Sequence, residues 1–323
     1  MKPIKVSLAR ETTCGEDHLD PILYPVCVKN SGLAMSETSE GDGCINEHAD
    51  GGGEVVITGS DINGSLASTI YFEQVGLYFT MLFGDPVTVD NGDGTYTHTF
   101  DTTKRCKPCW SLENIFNNDD DCVNPPVDYI ERYNGVKAST YAHEVSGRGL
   151  NSLSLGLVAS KFRTSRDNPN PIAALATGKQ VNMDRFALDT NRATVKVNNQ
   201  PAKLSKFGIN VDLGMQVDEL IGNQKDVWEK ELSVNGSVAG LFDAVLHETL
   251  AKNLKNEVEI KYENADNTKS LTYYMKEVQF AYKTTPAVYG EKLMLDTTYI
   301  ASRSATSTER LKVTLVNAQA NYA

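Results

Sequence analysis

Six cysteines and five histidines are the residues of this chain best suited to chemistry. Cys106-Lys-Pro-Cys109, with Cys122 further along, offers three thiolates, and His98 or His143 would complete a tetrahedral Cys₃His zinc site. The competing reading is disulfides among Cys14, Cys27, Cys44, Cys106, Cys109 and Cys122, since an even number of thiols in an oxidising setting pairs off. Spacing alone leaves both readings open, favours disulfides and does not select a pairing. A redox-active Cys-x-x-Cys sits at a helix N-terminus after a strand, and Asp101-Thr-Thr-Lys104 does not prepare one.

The histidines give no general base in a recognisable setting. His18 and His48 lie among Asp and Glu, and His247 precedes Glu248 on a solvated helical stretch. His98 belongs to Tyr96-Thr-His-Thr-Phe100, where Tyr, His and Phe alternate onto one strand face, as a packed histidine would. A Gly-x-Ser-x-Gly elbow, a His-Glu-x-x-His helix and a Gly-Lys-Ser/Thr phosphate loop are all missing from the sequence. Gly51-Gly-Gly53 and Asn91-Gly-Asp-Gly94 read as turns. Asn117-Asn-Asp-Asp-Asp121 lacks the spaced glycine and terminal glutamate of a calcium loop. No catalytic, cofactor-binding or metal residue is assigned, no cofactor is called for, and an enzyme is not expected.

The elements around these residues must come from 323 residues, enough for two domains or for one domain used twice. Hydrophobic residues make up 40% and charged residues 23%, an ordinary globular balance, and no apolar run is long enough to span a membrane. The opening MKPIKVSLARE has no apolar leader core, so synthesis and assembly in a cytoplasm are expected. A net charge of −11 argues against gripping nucleic acid through its phosphates, although an acidic wall would let a duplex slide past.

Alternating segments predict a mainly β fold with flanking helices, and their order recurs along the chain. Ile4–Leu8 resembles Ile209–Leu213. A turn expected at Asn63-Gly-Ser65, leading to a stretch from Leu66 with helical spacing that ends at Phe83, resembles Asn235-Gly-Ser237, leading to Leu241, Val245, Leu246 and Leu250. The pair Arg132–Thr140 and Leu150–Phe162 is matched by Tyr273–Tyr282 and Glu291–Ser302. The separation between matches shrinks in two similar steps, so the first copy is expected to carry two loop-like insertions, about 9–53 and 101–131, which hold every cysteine. The expected units are 1–165 and 166–323. The second includes a linking hairpin, Thr194–Asn198 and Ala202–Phe207 around Asn199-Gln-Pro201, and a last strand, Arg310–Val316.

The segments Asn63-Gly-Ser65, Leu82-Phe-Gly-Asp85, Gly94-Thr-Tyr-Thr-His-Thr-Phe100, Arg132-Tyr-Asn-Gly-Val136 and Asn151-Ser-Leu-Ser-Leu155 resemble the tail tube proteins of long-tailed bacteriophages. Leu8-Ala-Arg-Glu-Thr-Thr13 is also similar, but Cys14 then departs from the family pattern. The resemblance implies two tandem tail-tube units of duplicated origin, each a β-sandwich or barrel. It implies a virion protein whose rings stack into a tube that conducts double-stranded DNA, with tape measure, tail terminator and tail tip proteins as partners and no membrane. Two units per chain favour a trimeric ring with pseudo-sixfold symmetry over a hexamer. The alternatives are a tail tip or terminator ring, or a cysteine-stapled glycan-binding module, for which Trp110 and Trp228 are far apart. The candidate lumen strands are the two long pairs. From Glu291 one face carries Glu291, Leu293, Leu295 and Thr297 and the other Lys292, Met294, Asp296 and Thr298, which does not separate core from channel.

Overall fold

The computed structural model describes residues 2–18, 21–41, 55–104, 107–117, 128–146, 149–167, 169–175, 179–181, 183, 187–188, 192–220, 224–241, 254–281, 294–303 and 309–322. The first half contains β1 (Lys2–Arg10), β2 (Ile22–Pro25), β3 (Asn30–Ser31), β4 (Ala34–Gly41), β5 (Val55–Thr69), α1 (Phe72–Phe83), β6 (Val87–Asp90), β7 (Tyr96–Asp101), β8 (Trp110–Asn117), β9 (Tyr129–Ser146), β10 (Ser152–Val158) and β11 (Lys161–Thr164). After these come β12 (Lys179–Gln180), β13 (Ala193–Val197), β14 (Gln200–Pro201), β15 (Leu204–Asp212), β16 (Met215–Leu220), β17 (Gln224–Glu229), β18 (Ser233–Leu241), β19 (Asn256–Glu263), β20 (Ser270–Phe280), β21 (Met294–Ala301) and β22 (Lys312–Asn317). The fold is mainly β. Among the described residues α1 is the one helix, and the second helix expected over 242–250 lies outside them.

Two sheets share β9. Its first half pairs with β8 and β11, in a small sheet continued by β1, β2 and β12. Its second half pairs with β10 on one side and β15 on the other. The strand changes sheets near Gly135, where φ is +63° and a Cβ would collide with the Ser160 hydroxyl, so glycine is required at the bend. Leu150–Phe162 divides at the same place into β10 and β11, each pairing with its own half of β9.

The large sheet runs β4–β5–β10–β9–β15–β18–β21–β20, and beyond β20 it continues through β22 to β7 and β6 and through β19 to β13 and β14. The β13–β14 hairpin turns at Asn198 and Asn199, both at positive φ, which asparagine tolerates in a two-residue turn. Strands of the two halves meet in three ladders, β9 with β15, β7 with β22 and, over a short parallel stretch, β2 with β12.

Every residue of α1 is buried, as expected of a helix apolar on nearly all sides, and Gly84 ends it at φ +81°. Phe79 packs on Phe100, Tyr141 and Tyr273, with ring centroids 5.4, 5.5 and 6.1 Å away, so side chains of both halves meet on one helix. Its polar residues find partners inside the protein. Gln74 accepts from the Cys27 N–H at 2.8 Å, and Glu73 pairs with Lys269.

The strand registers repeat between the halves. Gly64 opposes Leu157, which opposes Ala138; Gly236 opposes Tyr299, which opposes Phe280. On the other side of these strands, Ser31 opposes Leu66 and Ala34 opposes Asn63, as Phe207 opposes Val238 and Asn210 opposes Asn235. A Cβ on Gly64 would strike the Gly32 carbonyl, and a Cβ on Gly236 the Gly208 carbonyl. By register, therefore, β15 matches β3–β4. The strand over Ile4 instead belongs to the small sheet, between β2 and β8, so its likeness to Ile209–Leu213 is alternation without shared position. The two cysteine-bearing stretches also differ from the loops expected: β2, β3, β4 and β8 are sheet members, too short or too rich in Ser, Thr, Glu and Asn to stand out in the sequence.

Because both collisions are with backbone, Gly64→Ala and Gly236→Ala are each expected to lower stability by about 1–3 kcal/mol, the usual range for overpacking. Urea unfolding of the two variants measures this, and equal, negligible losses would contradict the close approach.

Candidate functional site: the open face of the large sheet

One face of the large sheet covers the core, and the other is assembled from small side chains of both halves. Along β21, Leu295, Thr297, Tyr299 and Ala301 are buried while Met294, Asp296, Thr298 and Ile300 are exposed. This resolves the ambiguity at Thr297, whose buried hydroxyl donates to the Ala281 carbonyl at 2.6 Å. Following the registers, one row across the open face reads Ala67, Ser154, Ala142, Asn210, Asn235, Ile300. The next reads Ser65, Gly156, Thr140, Asp212, Ser233.

On β15, β18, β21 and the part of β9 from Thr140 onwards, the charged groups of this face are Glu144, Lys206, Asp212 and Asp296, three carboxylates to one ammonium, and Lys206 is bound to Glu144 at 3.0 Å. This part of the face is thus rich in small, hydroxyl and amide side chains and weakly acidic, with Met294 and Ile300 as large apolar exceptions on β21.

Beneath this face the histidines serve packing. His98 is buried, its Nδ1 2.8 Å from Thr88 Oγ1 and its Nε2 2.8 Å from the Gln319 carbonyl. His143 is buried among Tyr141, Tyr262 and Tyr273, with Nδ1 3.2 Å from the Tyr273 hydroxyl. Burial lowers the His143 pKa to about 4. Neither imidazole is placed with the cysteines. His48 and His247 lie outside the described residues. Asn91–Thr95 is the expected turn, with Asp90 and Asp93 carboxylates accepting from the Gly92 and Thr95 N–H groups.

Of the cysteines, Cys14 and Cys109 form a disulfide that joins the two cysteine-bearing stretches. The sheet explains the choice: Cys14 follows β1, Cys109 precedes β8, Arg10 opposes Trp110, and the Glu11 N–H donates to the Cys109 carbonyl at 2.9 Å. Cys27 is a free thiol 3.8 Å from the Tyr71 hydroxyl, and Cys44, Cys106 and Cys122 lie outside the described residues. Glu11 lies beside the disulfide. Its buried carboxylate accepts from the Gly15 and Gly135 N–H groups at 2.7 and 2.9 Å and from Ser111 Oγ at 2.7 Å. Desolvation still raises its pKa, those bonds opposing.

Close by, Arg132 binds Glu113 at 2.6 Å and Asp17 at 3.0 Å, with Arg163 on Asp17 at 2.6 Å. Burial raises the Asp17 carboxyl, but the Asn134 hydrogen bond and the two guanidiniums outweigh it and hold the pKa low. This network fixes β8, β9 and β11 to the loop after β1, and through them sets the direction in which β9 enters the large sheet.

A family model described as phage tail tube protein matches residues 4–304, and no curated protein matches the chain. The chain belongs to the phage tail tube protein family, and so is a component of the virion tail that assembles with itself.

Two outcomes follow from these contacts. With the folded His143 pKa near about 4 and the unfolded value at 6.5, the unfolded chain binds more protons between them, so the contribution is full above pH 6.5 and is lost as pH falls towards 4. His143→Gln is expected to remove up to roughly 3 kcal/mol of that acid sensitivity, seen as a flatter stability profile between pH 7 and 4. The Cys14→Ser/Cys109→Ser pair is expected to lose about 2–5 kcal/mol in denaturant unfolding, and an unchanged midpoint would deny the disulfide a stabilising role.

Proposed function

We propose that the chain forms rings that stack into the tail tube and that the open face described above lines the channel through which double-stranded DNA leaves the capsid. The observation that carries this reading is the face itself: strands of both halves contribute matched rows of Ser, Thr, Asn and Ala, with a slight excess of carboxylates. Such a wall repels phosphate weakly and offers it nothing to hold.

The repeated register, including the glycine pairs Gly32/Gly64 and Gly208/Gly236, supports two tail-tube units of duplicated origin, taken as 1–165 and 166–323. Two equivalent units per chain make a trimer the ring with sixfold-like geometry, in preference to a hexamer. Tape measure, terminator and tip proteins are the expected partners at the ends of the tube and inside it, with assembly in the host cytoplasm. The role is structural, without catalysis. Trp110 is fully buried and Trp228 bonds Asp218 at 2.7 Å, so the glycan-binding reading gains no aromatic platform from them.

Negative-stain electron microscopy of the purified protein is expected to show open-ended tubes. Isolated rings that never stack would favour a terminator or tip component instead, and compact particles without a channel would overturn the proposal.

A further inference from the structure

We propose that the cavity at the base of the β16–β17 hairpin binds a ligand carrying several adjacent phosphate groups, an oligophosphate taken up free or as part of a nucleoside triphosphate. The site does not depend on the channel reading, since it needs only the folded chain. The cavity has a volume of about 630 Å³. It lies beyond the row of Thr140, Asp212 and Ser233, where Lys137 of β9 donates to the Val227 carbonyl at 2.7 Å. Small-molecule sites typically occupy roughly 300–1,000 Å³, so the space suits a ligand of this size.

Five cations line the cavity, Lys104, Lys107, Lys137, Lys230 and Arg303, against two carboxylates, Glu229 and Glu231. In a chain of net charge −11 this local balance is inverted. Both carboxylates are already taken: Glu229 binds Lys107 at 2.6 Å and Glu231 binds Arg310 at 2.9 Å. Lys104 and Lys137 donate to the backbone carbonyls of Asp85 and Val227, which carry no net charge to offset theirs. Lys230 and Arg303 are exposed, with no side-chain hydrogen bond or ion pair among the described residues. A recess that gathers cations in this way concentrates anions from solution.

The fold, and no basic run in the sequence, brings these charges together. Lys104 follows β7, Lys107 precedes β8, Lys137 is on β9, Lys230 follows β17 and Arg303 follows β21. Lys107 is drawn inside, its side chain 7% exposed. Burial lowers its pKa, the Glu229 contacts oppose that, and the nearby Lys137 ammonium lowers it further. An anion close to both ammonium groups relieves their repulsion. A single carboxylate brings one charge, whereas an oligophosphate brings one on every phosphate at short spacing, so one ligand answers several cations at once. Lysine suits this task, because it meets phosphate as a point charge without the planar geometry of an arginine–carboxylate pair.

The test uses the full-length protein with inorganic tripolyphosphate as probe, read by calorimetry and by tryptophan emission. Trp228 lines the cavity and is 39% exposed while Trp110 is fully buried, so a bound anion is expected to alter the Trp228 signal. Reversing two exposed charges in Lys230→Glu/Arg303→Glu is expected to weaken binding about tenfold. Lys161→Glu/Lys203→Glu changes the net charge equally on exposed lysines outside the cavity and is expected to leave binding nearly unchanged. Citrate, a tricarboxylate, is expected to bind more weakly than tripolyphosphate. ATP binding as tightly as tripolyphosphate identifies a nucleoside triphosphate as the source, and binding of tripolyphosphate alone identifies the free oligophosphate. The site is overturned if neither binds, if both double variants weaken binding equally, if citrate binds as tightly, or if a short DNA duplex occupies the cavity and tripolyphosphate does not. Tube formation is observed independently by microscopy, so each of these failures leaves the tube reading intact.

Discussion

The hydrogen bond from the Gly135 N–H to the Glu11 carboxylate holds the bend on which the remaining architecture depends. At that point β9 leaves the small sheet and enters the large one, and only a residue without a side chain clears Ser160. The anchoring is redundant in a way that a single bond would not be. Glu11 also takes the Gly15 N–H and Ser111, the Cys14–Cys109 disulfide fixes the same corner, and Arg132 pins the strand one turn of alternation earlier. Buried charge at such a site is tolerated because each group is paired and hydrogen-bonded, and its reward is a fixed strand direction rather than net stability.

Once β9 is aimed, the large sheet follows. Its second half receives β10 on one edge and β15 on the other, which brings the two halves of the chain into one continuous surface. The outward residues of that surface are mostly small, Met294 and Ile300 excepted, while the inward ones, Tyr141, His143, Tyr273 and Tyr299, interlock with α1 and with one another through rings and hydroxyls. Small side chains on one side and interlocking on the other are opposite demands on successive residues, and period-two alternation is what lets one strand meet both.

Much of this was legible in the sequence, and the exceptions have physical reasons. The long strands β9, β20, β21 and β22 and the packed role of His98 follow directly from alternation, whereas the hairpin expected around Asn199-Gln-Pro201 turns at Asn198-Asn199 and pairs β13 with Gln200–Pro201, and β15 pairs with β9 and β18 instead. The match of Ile4 to Ile209 misleads because any half-buried strand alternates. The informative signal is Asn63-Gly-Ser-Leu-Ala67 against Asn235-Gly-Ser-Val-Ala239, together with Gly32 and Gly208, where backbone contact demands glycine. The strands β2, β3, β4 and β8 are hidden by polar composition, since an edge or a doubly covered strand need not alternate visibly. Pairing of Cys14 with Cys109 depends on β1 lying beside β8, a tertiary fact that spacing does not encode.

End-on cryo-electron microscopy of the assembled protein reaches the central claim most directly. Three chains around an open axis, with six sheet segments of matching form lining it and the Ser, Thr and Asn rows facing inward, is the predicted result. A particle in which the two halves face different surroundings, or in which that face is buried against protein and no channel exists, would contradict it.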